Sequence, residues 1–466
     1  MRLIITLCSS AVLCAAAVAD TIVLKNGDRI YADSVQEVDG RVRYTIGDNS
    51  FALPKSIVVK IETGGAPTPA TAMPLPALDL PKPSADIPIR PDLYDRVIHG
   101  GSIDTDALRA IEREGNAEQS GAAYSIAARF AEEKRDYAST ARYLESALRF
   151  NPRQPALLEN YAAALLSLGR PGEALEPAQL AASADPSADA YLVLGFAYYK
   201  NGRTREAIAA LKKSLQLRSN PEVRNFLAKM ENESRTEADF REQESNHFIM
   251  RYEGTETADS LRSQILDTLE DAYRTIDNEL GGSPRNVYVS LYTGQAYFDV
   301  TQAPAWSSAV NDGKLRIPIS GLKSMTPELS GTLRHELTHS FVRQIAHDRC
   351  PGWLNEGIAQ LEQGRTTGPI GSRLAALYAS GHQIPLNQLE APFSIFSSSE
   401  AHVAYAEALA AAEYIRSTYG MPSVQQILQR LGQGQSVETA LRSTIHAGYA
   451  ELEDQITDYL KKNYGS

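Results

Sequence analysis

The sequence predicts a multidomain protein, with a small N-terminal β module, a helical solenoid and a C-terminal domain that mixes helices and strands. Three observations support this prediction. The 466 residues exceed what one ordinary hydrophobic core holds. A proline-dense stretch separates short strand patterns from helical ones. Asn-Pro or Asp-Pro pairs then recur at Pro152, Pro186 and Pro221, at intervals of 34 and 35 residues, as a repeated helical unit would require.

Residues 1–19 have the pattern of a secretory signal peptide. Arg2 supplies the positive start, residues 3–18 form an apolar stretch, and Ala17 and Ala19 flank Val18 in the small-x-small pattern needed before cleavage. The sequence therefore predicts export, either to a periplasm or out of the cell, and a mature chain that begins at Asp20. It predicts no transmembrane segment after cleavage, because no later run is apolar and long enough.

Composition and charge exclude several classes of partner. The chain is 43% hydrophobic and 22% charged, which is typical of a globular protein. Its formal charge is −11, and −12 without Arg2, with no dense run of Lys and Arg. Such a chain is a poor match for nucleic acid. Removal of the leader leaves Cys350 as the sole cysteine, so packing must supply the stability that disulfides provide elsewhere.

Residues 20–62 are predicted to form the β module. Segments 21–24 and 29–32 flank an Asn-Gly-Asp turn and predict a hairpin. Further strand patterns lie at 41–46 and 57–61, which favours a compact barrel of about five short strands. Residues 63–93 are predicted to be a linker, because repeated prolines prevent helix and favour extended chain.

Residues 94–235 are predicted to form helical repeats. One unit carries Tyr191, Leu194, Gly195 and Tyr198, followed by Ala207 and Leu211. This spacing resembles the tetratricopeptide repeat, with Tyr in place of Trp and Leu in place of Phe. Residues 221–233 then suit the capping helix that a solenoid end needs. The resemblance implies a scaffold whose concave face binds a peptide or protein partner.

Residues 236–466 are predicted to form the last domain. Strand patterns at 247–252 and 287–292 flank a helix pattern that ends at Gly281. A turn at 311–313 precedes another strand pattern at 315–319. Pro318 predicts that this strand lies at a sheet edge, because proline has no N–H to donate to a central ladder.

The most informative motif is His335-Glu336-x-x-His339. Its helix is predicted to start with Thr326 as N-cap, and apolar residues recur every four positions along the opposite face. Histidines four residues apart lie one above the other on a helix, where one tetrahedral ion accepts both nitrogens at about 2.0–2.1 Å. Glu336, beside them, is predicted to act as the general base for a metal-activated water.

A hydrolytic zinc site needs a third protein ligand and an open position. Glu356, separated from His339 by sixteen residues, is the predicted third ligand, at the start of a second helix. The form with a third histidine is excluded, because Val342 and Ile345 occupy the positions that it needs.

Other polar residues near the motif have weaker claims. The lesser candidates for the third ligand are Glu362, His347 and Asp348. The sequence leaves open whether Gln360 hydrogen-bonds a metal ligand or lies at the surface.

The motif together with Asn355-Glu356-Gly357-x-Ala359 resembles the gluzincin-type metallopeptidases, in particular the bacterial peptidase MA-like family, over about residues 246–464. The resemblance implies an antiparallel edge strand over the cleft, for which residues 315–319 are the choice. It also implies a tyrosine or histidine facing the scissile carbonyl oxygen. Tyr405 is the candidate, and His402 the weaker alternative. Where gluzincins often carry an acidic residue one turn after the third ligand, this chain has Gln360.

The sequence therefore predicts an exported metallopeptidase that acts on a peptide or protein substrate. One zinc ion would be held by His335, His339 and Glu356, with Glu336 and Tyr405 as catalytic residues. Two other classes stay open. One is a non-catalytic envelope scaffold that uses its repeats, and the other is a zinc hydrolase of a non-peptide bond.

Overall fold

The computed structural model describes the chain in several ranges: residues 20–24, 29–32, 34–38, 41–46, 49–55, 58–62 and 91–465, the last without 255–256, 294–295, 302–308, 312, 320–321, 348, 392 and 394–397. The predicted signal peptide and residues 63–90 of the predicted linker lie outside the described residues. The strands of the β module belong to one compact unit, and the elements from residue 91 onward belong to another.

The β module contains six described strands, one more than the sequence analysis expected: β1 Asp20–Leu24, β2 Arg29–Ala32, β3 Ser34–Val38, β4 Arg41–Ile46, β5 Asn49–Pro54 and β6 Val58–Glu62. They form two antiparallel sheets, in the orders β2-β1-β6 and β3-β4-β5. The predicted hairpin is β1 with β2, in a register that pairs Ile22 with Ile30. Ile22 and Val42 are fully buried and hold the module's small core.

The helical region begins with two helices and a short hairpin: α1 Pro91–Val97, β7 Ile98–His99, β8 Ser102–Ile103 and α2 Thr105–Arg113. Three helix pairs and a final helix follow: α3 Ala117–Glu133, α4 Tyr137–Phe150, α5 Pro155–Ser167, α6 Pro171–Ala184, α7 Ala188–Lys200, α8 Thr204–Leu217 and α9 Pro221–Thr236. The expected helical solenoid is thereby confirmed, and α9 lies where the capping helix was expected.

Small residues allow the paired helices to approach closely. A Cβ on Gly195 would lie 2.7 Å from Leu211 Cδ2, so a larger residue there would displace the buried Leu211 side chain. Ala207 and Leu211 are fully buried between the helices. The turn within the third pair uses Gly202 at a φ of 70°, a left-handed conformation that favours glycine.

The C-terminal domain contains a five-stranded sheet, built from β9 Phe240–Glu244, β10 Phe248–Glu253, β11 Val287–Tyr292, β12 Val310–Asn311 and β13 Leu315–Pro318. The strand order is β12-β13-β11-β10-β9. The three inner strands, β10, β11 and β13, run parallel to one another. β9 pairs antiparallel with β10, and β12 pairs antiparallel with β13.

The prediction that residues 315–319 form the edge strand is wrong. β13 lies between β11 and β12 and runs parallel to β11, so β12 is outermost on that side among the described strands. Proline is tolerated in β13 because β12 pairs only with Leu315 and Arg316 and ends before Pro318. The antiparallel edge strand that the resemblance implied is therefore β12.

Nine described helices complete the domain: α10 Asp259–Leu280, α11 Ala296–Thr301, α12 Pro327–Ala346, α13 Gly352–Glu362, α14 Gly371–Ala379, α15 Ser398–Tyr419, α16 Met421–Gly432, α17 Val437–Ile445 and α18 Tyr449–Tyr464. Short 3-10 turns lie at Gly368–Ile370 and Leu386–Leu389. Helices and sheet share one hydrophobic core. Among the described residues, no helix is both long and apolar enough to cross a lipid bilayer.

The solenoid and the C-terminal domain pack directly against each other. Tyr288 on β11 donates a hydrogen bond from its hydroxyl to the main-chain oxygen of Asn201, at the turn between α7 and α8, over 2.9 Å. Glu233 on α9 contacts both Lys314 and Arg316 at β13. The predicted fold class, a solenoid joined to an α+β domain and preceded by a β module, is thus confirmed.

Candidate metal centre

The helix that carries the motif forms as its sequence predicts. Thr326 caps α12, and its hydroxyl accepts a hydrogen bond from the Leu329 amide over 3.2 Å. Pro327 occupies the first helical position, where its missing N–H costs nothing. The apolar stripe is buried throughout: Leu329, Leu333, Leu337 and Phe341. Burial of this stripe turns the opposite face of α12 toward α13.

Three predicted ligands converge between these two helices. His335 Nε2 lies 3.4 Å from Glu356 Oε2, and His339 Nε2 lies 3.8 Å from Glu356 Oε1. One ligand atom from each of the three residues lies within 4.8 Å of the other two. In the described part of the chain, this is the only such group of His, Cys, Asp or Glu side chains suited to a metal ion.

The geometry fits a divalent cation. Four ligands at about 2.0–2.1 Å around a tetrahedral ion are separated from one another by about 3.3 Å, close to the observed separations. Glu356 Oε2 is buried and has no hydrogen-bond partner among the described residues. A buried carboxylate oxygen without a partner is costly, and a cation between the three side chains would satisfy it.

Asn355 supports this cluster, and the sequence analysis assigned it no role. Its Oδ1 lies 3.0 Å from His339 Nδ1. A carbonyl oxygen at that distance accepts a hydrogen bond from the Nδ1–H group, which leaves the lone pair on Nε2, and Nε2 faces Glu356. The signal available in the sequence was the position of Asn355 directly before Glu356 on the same helix. By contrast, His335 Nδ1 is buried without a hydrogen-bond partner among the described residues.

Glu336 is almost completely buried, with 6% of its surface exposed. Burial raises the pKa of its carboxyl to about 7; the Glu356 carboxylate adds to this rise, and His339 opposes it. Glu356 responds differently. Burial acts to raise its pKa too, but His339 and His335 outweigh burial and hold the pKa of Glu356 below its ordinary value. The two neighbouring carboxyls therefore differ in pKa: that of Glu336 is raised and that of Glu356 is lowered.

Tyr405 lies near this pair of carboxyls. The pKa of its phenol is raised well above the ordinary value by the Glu356 carboxylate, then by burial and by Glu336. Its ring packs edge-on against Phe393, with the ring centroids 5.1 Å apart. The weaker alternative, His402, lies on the first turns of α15 and is exposed.

Asn311 on β12 connects the edge strand to the motif. Its Nδ2 donates to the main-chain oxygen of Glu336 over 2.6 Å and to Ser340 Oγ over 2.8 Å. From the sequence, Asn311 was expected only to form a turn, because neighbouring residues do not indicate a hydrogen-bond partner 25 residues away. These bonds hold β12 against α12 beside the metal cluster.

Two of the three lesser ligand candidates, Glu362 and His347, lie outside the cluster. Burial, followed by the neighbouring Glu279 carboxyl on α10, raises the pKa of Glu362 to about 7, and Glu362 is not part of the group of three ligands. His347 ends α12 in a left-handed conformation with φ of 51°. Asp348 lies outside the described residues.

Two cavities lie elsewhere, between the solenoid and the C-terminal domain. One of about 230 Å³ is lined by charged residues that include Glu233 and Lys314. The other, of about 300 Å³, is lined by Tyr161, Gln344 and neighbouring side chains. None of the metal-cluster residues lines either cavity.

Comparison with known proteins agrees with this architecture. Residues 279–462 match the family model described as the Peptidase MA superfamily. The small glutamine-rich tetratricopeptide repeat-containing protein 2 of Mycosarcoma maydis is 32% identical over 90 residues, which cover 19% of this chain and 26% of that protein. The chain thus spans about a quarter of that curated relative's length.

A solved structure of a mutant O-GlcNAc transferase from Thermobaculum terrenum matches 48% of this chain and 44% of its own, at 15% identity. Its TM-score of 0.22 is too low to support any statement about this chain. The family match and the repeat-containing relative confirm the predicted resemblance. Residues 279–462 are thus similar to the Peptidase MA superfamily, and the helical region resembles tetratricopeptide repeats.

Proposed function

We propose that this chain is an exported zinc-dependent metallopeptidase that hydrolyses peptide bonds. The observation that carries the proposal is the convergence of His335, His339 and Glu356, whose ligand atoms lie within 4.8 Å of one another. The match to the Peptidase MA superfamily supports a peptide bond as the target.

His335, His339 and Glu356 would hold one zinc ion. When bound, zinc supplies Lewis acidity, which polarises a carbonyl and lowers the pKa of a water to about 7. Asn355 keeps the His339 ring in the orientation that presents Nε2 to the ion. Two imidazole nitrogens and one carboxylate suit zinc better than calcium or magnesium, which prefer oxygen ligands.

Glu336 is the general base in this proposal. Its buried carboxyl takes the proton of the attacking water and later returns it to the leaving amine, a role that suits a pKa of about 7. Tyr405 keeps its phenol proton, because the neighbouring carboxylates raise its pKa. A protonated phenol can donate a hydrogen bond to the oxyanion that develops on the substrate.

The remaining parts of the proposal concern location and partners. The pattern of residues 1–19 supports export to a periplasm or out of the cell. The three helix pairs between Ala117 and Leu217 support a binding surface for a protein partner or for part of the substrate. Expression of the full chain in a bacterium tests export. We expect the mature chain to begin at Asp20, and an uncleaved chain retained in the cytoplasm would contradict it.

The function is tested by zinc content and peptide-library cleavage of the purified chain and the Glu336→Gln variant. We expect about one zinc per chain in both proteins, and cleavage reduced at least about 100-fold in the variant, because a general base contributes 10²–10⁴-fold. Glu328→Gln is a matched control, since Glu328 is exposed on the first turn of the same helix.

The other classes have distinct outcomes in this experiment. Zinc without cleavage of any peptide would favour a hydrolase of a non-peptide bond. Neither zinc nor cleavage would favour a scaffold that uses its repeats. Full activity in Glu336→Gln would remove the general base from the proposal.

A further inference from the structure

Gln360 has a contact that neither interpretation from the sequence included. It lies on α13 one turn after Glu356, and only 2% of its surface is exposed. Its Nε2 donates to the main-chain oxygen of Tyr405 over 2.8 Å, and also lies 3.3 Å from the main-chain oxygen of Glu356. Its Oε1 accepts a hydrogen bond from Arg365 over 3.3 Å. Gln360 is thus buried, and its bond to the predicted metal ligand Glu356 goes to the main-chain oxygen instead of the carboxylate.

These contacts use both ends of the amide. Nε2 must donate to a carbonyl on α15, while Oε1 must accept from a guanidinium. An ionised carboxylate at the same place would keep the contact with Arg365 but could not donate to Tyr405. Glutamine at position 360 therefore matches the contact with α15. The acidic residue that gluzincins often carry at this position could not make that contact when ionised.

The two helices meet at unusually short distance beside this bond. A Cβ on Gly357 would lie 2.3 Å from the main-chain oxygen of Ala408. α13 and α15 therefore touch through backbone at Gly357, and the Gln360 amide joins them one turn further along. Glu356 and Tyr405 are carried by these same two helices.

We propose that Gln360 is a positioning residue that holds the main chain of Tyr405 at a set distance from Glu356, and so places the phenol for catalysis. This inference rests on the proposed function. The ring of Tyr405 is supported separately by Phe393, so Gln360 supports the backbone and Phe393 the side chain. A displacement of about 1 Å at a catalytic group can cost about 10²-fold in rate.

The experiment compares Gln360→Met with Tyr405→Phe and the double variant. Methionine fills a similar volume but cannot donate to the Tyr405 oxygen. We expect Gln360→Met to lower kcat about 10-fold to 100-fold, with a smaller change in KM and with zinc content unchanged. We expect the double variant to be no slower than Tyr405→Phe alone, because Gln360 acts through the phenol.

Gln425→Met is the matched control. Gln425 Nε2 donates to the main-chain oxygen of Leu280 over 3.0 Å and joins α16 to α10 in the same way, away from the metal cluster. Loss of this bond should lower thermal stability to a similar degree as Gln360→Met while kcat stays the same. If Gln360→Met does not fold, Gln360→Glu removes the donor while keeping the size and the Arg365 contact.

The outcomes separate this inference from the proposed function. Normal kcat in Gln360→Met together with a large loss in Tyr405→Phe overturns the inference and leaves the proposed function intact. Additive losses in the double variant also overturn it, because Gln360 would then act by another route. Full activity in Tyr405→Phe contradicts the oxyanion role itself, whereas absence of both zinc and cleavage in the wild-type chain contradicts the proposed function.

Discussion

Glu233, on the last helix of the solenoid, forms a buried ion pair with Arg316 of the C-terminal sheet, with Oε2 and Nη2 separated by 2.9 Å. Lys314 Nζ lies 2.7 Å from the other oxygen of the same carboxylate. Glu233 is 1% exposed, and Arg316 is fully buried. Helix α9, which ends the solenoid, therefore also contributes a buried side chain to the interior of the C-terminal domain.

Substitution of Glu233 should destabilise the whole unit. Glu233→Gln removes one negative charge from between two buried cations, and breaking a buried pair in this way costs about 3–5 kcal/mol. We expect this loss in the free energy of unfolding from urea denaturation. Glu231→Gln is the control, because Glu231 lies on the same helix but pairs at the surface with Lys212 of α8, where a pair contributes about 1 kcal/mol or less. Equal losses in both variants would contradict the importance of burial.

The same carboxylate predicts a dependence of stability on acid pH. Burial acts to raise the pKa of Glu233, but Arg316 and Lys314 outweigh it and hold the pKa well below its ordinary value. A lowered pKa in the folded state contributes stability that is present above the unfolded pKa of about 4.3. That contribution is lost as the pH falls toward the folded pKa.

The test compares the wild-type chain with Glu233→Gln by urea denaturation from pH 6 to pH 3. The gap between their unfolding free energies should be constant at the upper end and should narrow below about pH 4.3. Glutamine does not titrate, so the narrowing comes from the wild-type chain. A difference in unfolding free energy that widens toward pH 3 would contradict the expected direction of the pH dependence.

Asn355 should control metal affinity if the cluster holds zinc as proposed. Asn355→Ala removes the partner of His339 Nδ1, and loss of such a partner typically costs 10-fold to 100-fold in metal affinity. Competition with a zinc chelator would measure the change. Asn463→Ala serves as the control, since Asn463 donates to the Tyr459 main-chain oxygen at an exposed site on α18. Unaltered zinc affinity in Asn355→Ala would exclude this support for His339.

Gly357 should tolerate no side chain. In Gly357→Ala the new methyl group would lie 2.3 Å from the Ala408 oxygen and 2.7 Å from Ala412 Cβ, so α13 and α15 must separate. Overpacking of this kind costs about 1–3 kcal/mol. Gly172→Ala, on α6, is the contrasting variant, because the nearest atom to its new Cβ is 3.9 Å away. It should instead stabilise by about 0.5 kcal/mol through helix propensity. Thermal unfolding would measure both variants. Equal shifts in melting temperature would contradict the close approach of α13 and α15.

Local patterns in the sequence predicted much of the fold correctly. The strand at 287–292, the Thr326 cap and the helix pairs follow from nearest-neighbour rules, because capping and periodic burial involve residues within a few positions of each other. The edge strand was predicted wrongly for a related reason. Pro318 correctly indicated a missing ladder bond, but the two-residue strand β12 that lies outside β13 is too short to leave a pattern in the sequence.

The sequence by itself determined that His335 and His339 face one way with Glu336 beside them, since one helix turn sets their spacing whatever surrounds it. Only the tertiary structure decided that Glu356 reaches both histidines, that Asn311 bonds the Glu336 main chain and that Gln360 bonds the main chain of Tyr405. Each of these contacts joins separate elements. The packing of the core brings those elements together, and no local spacing of residues records which side chains will then meet.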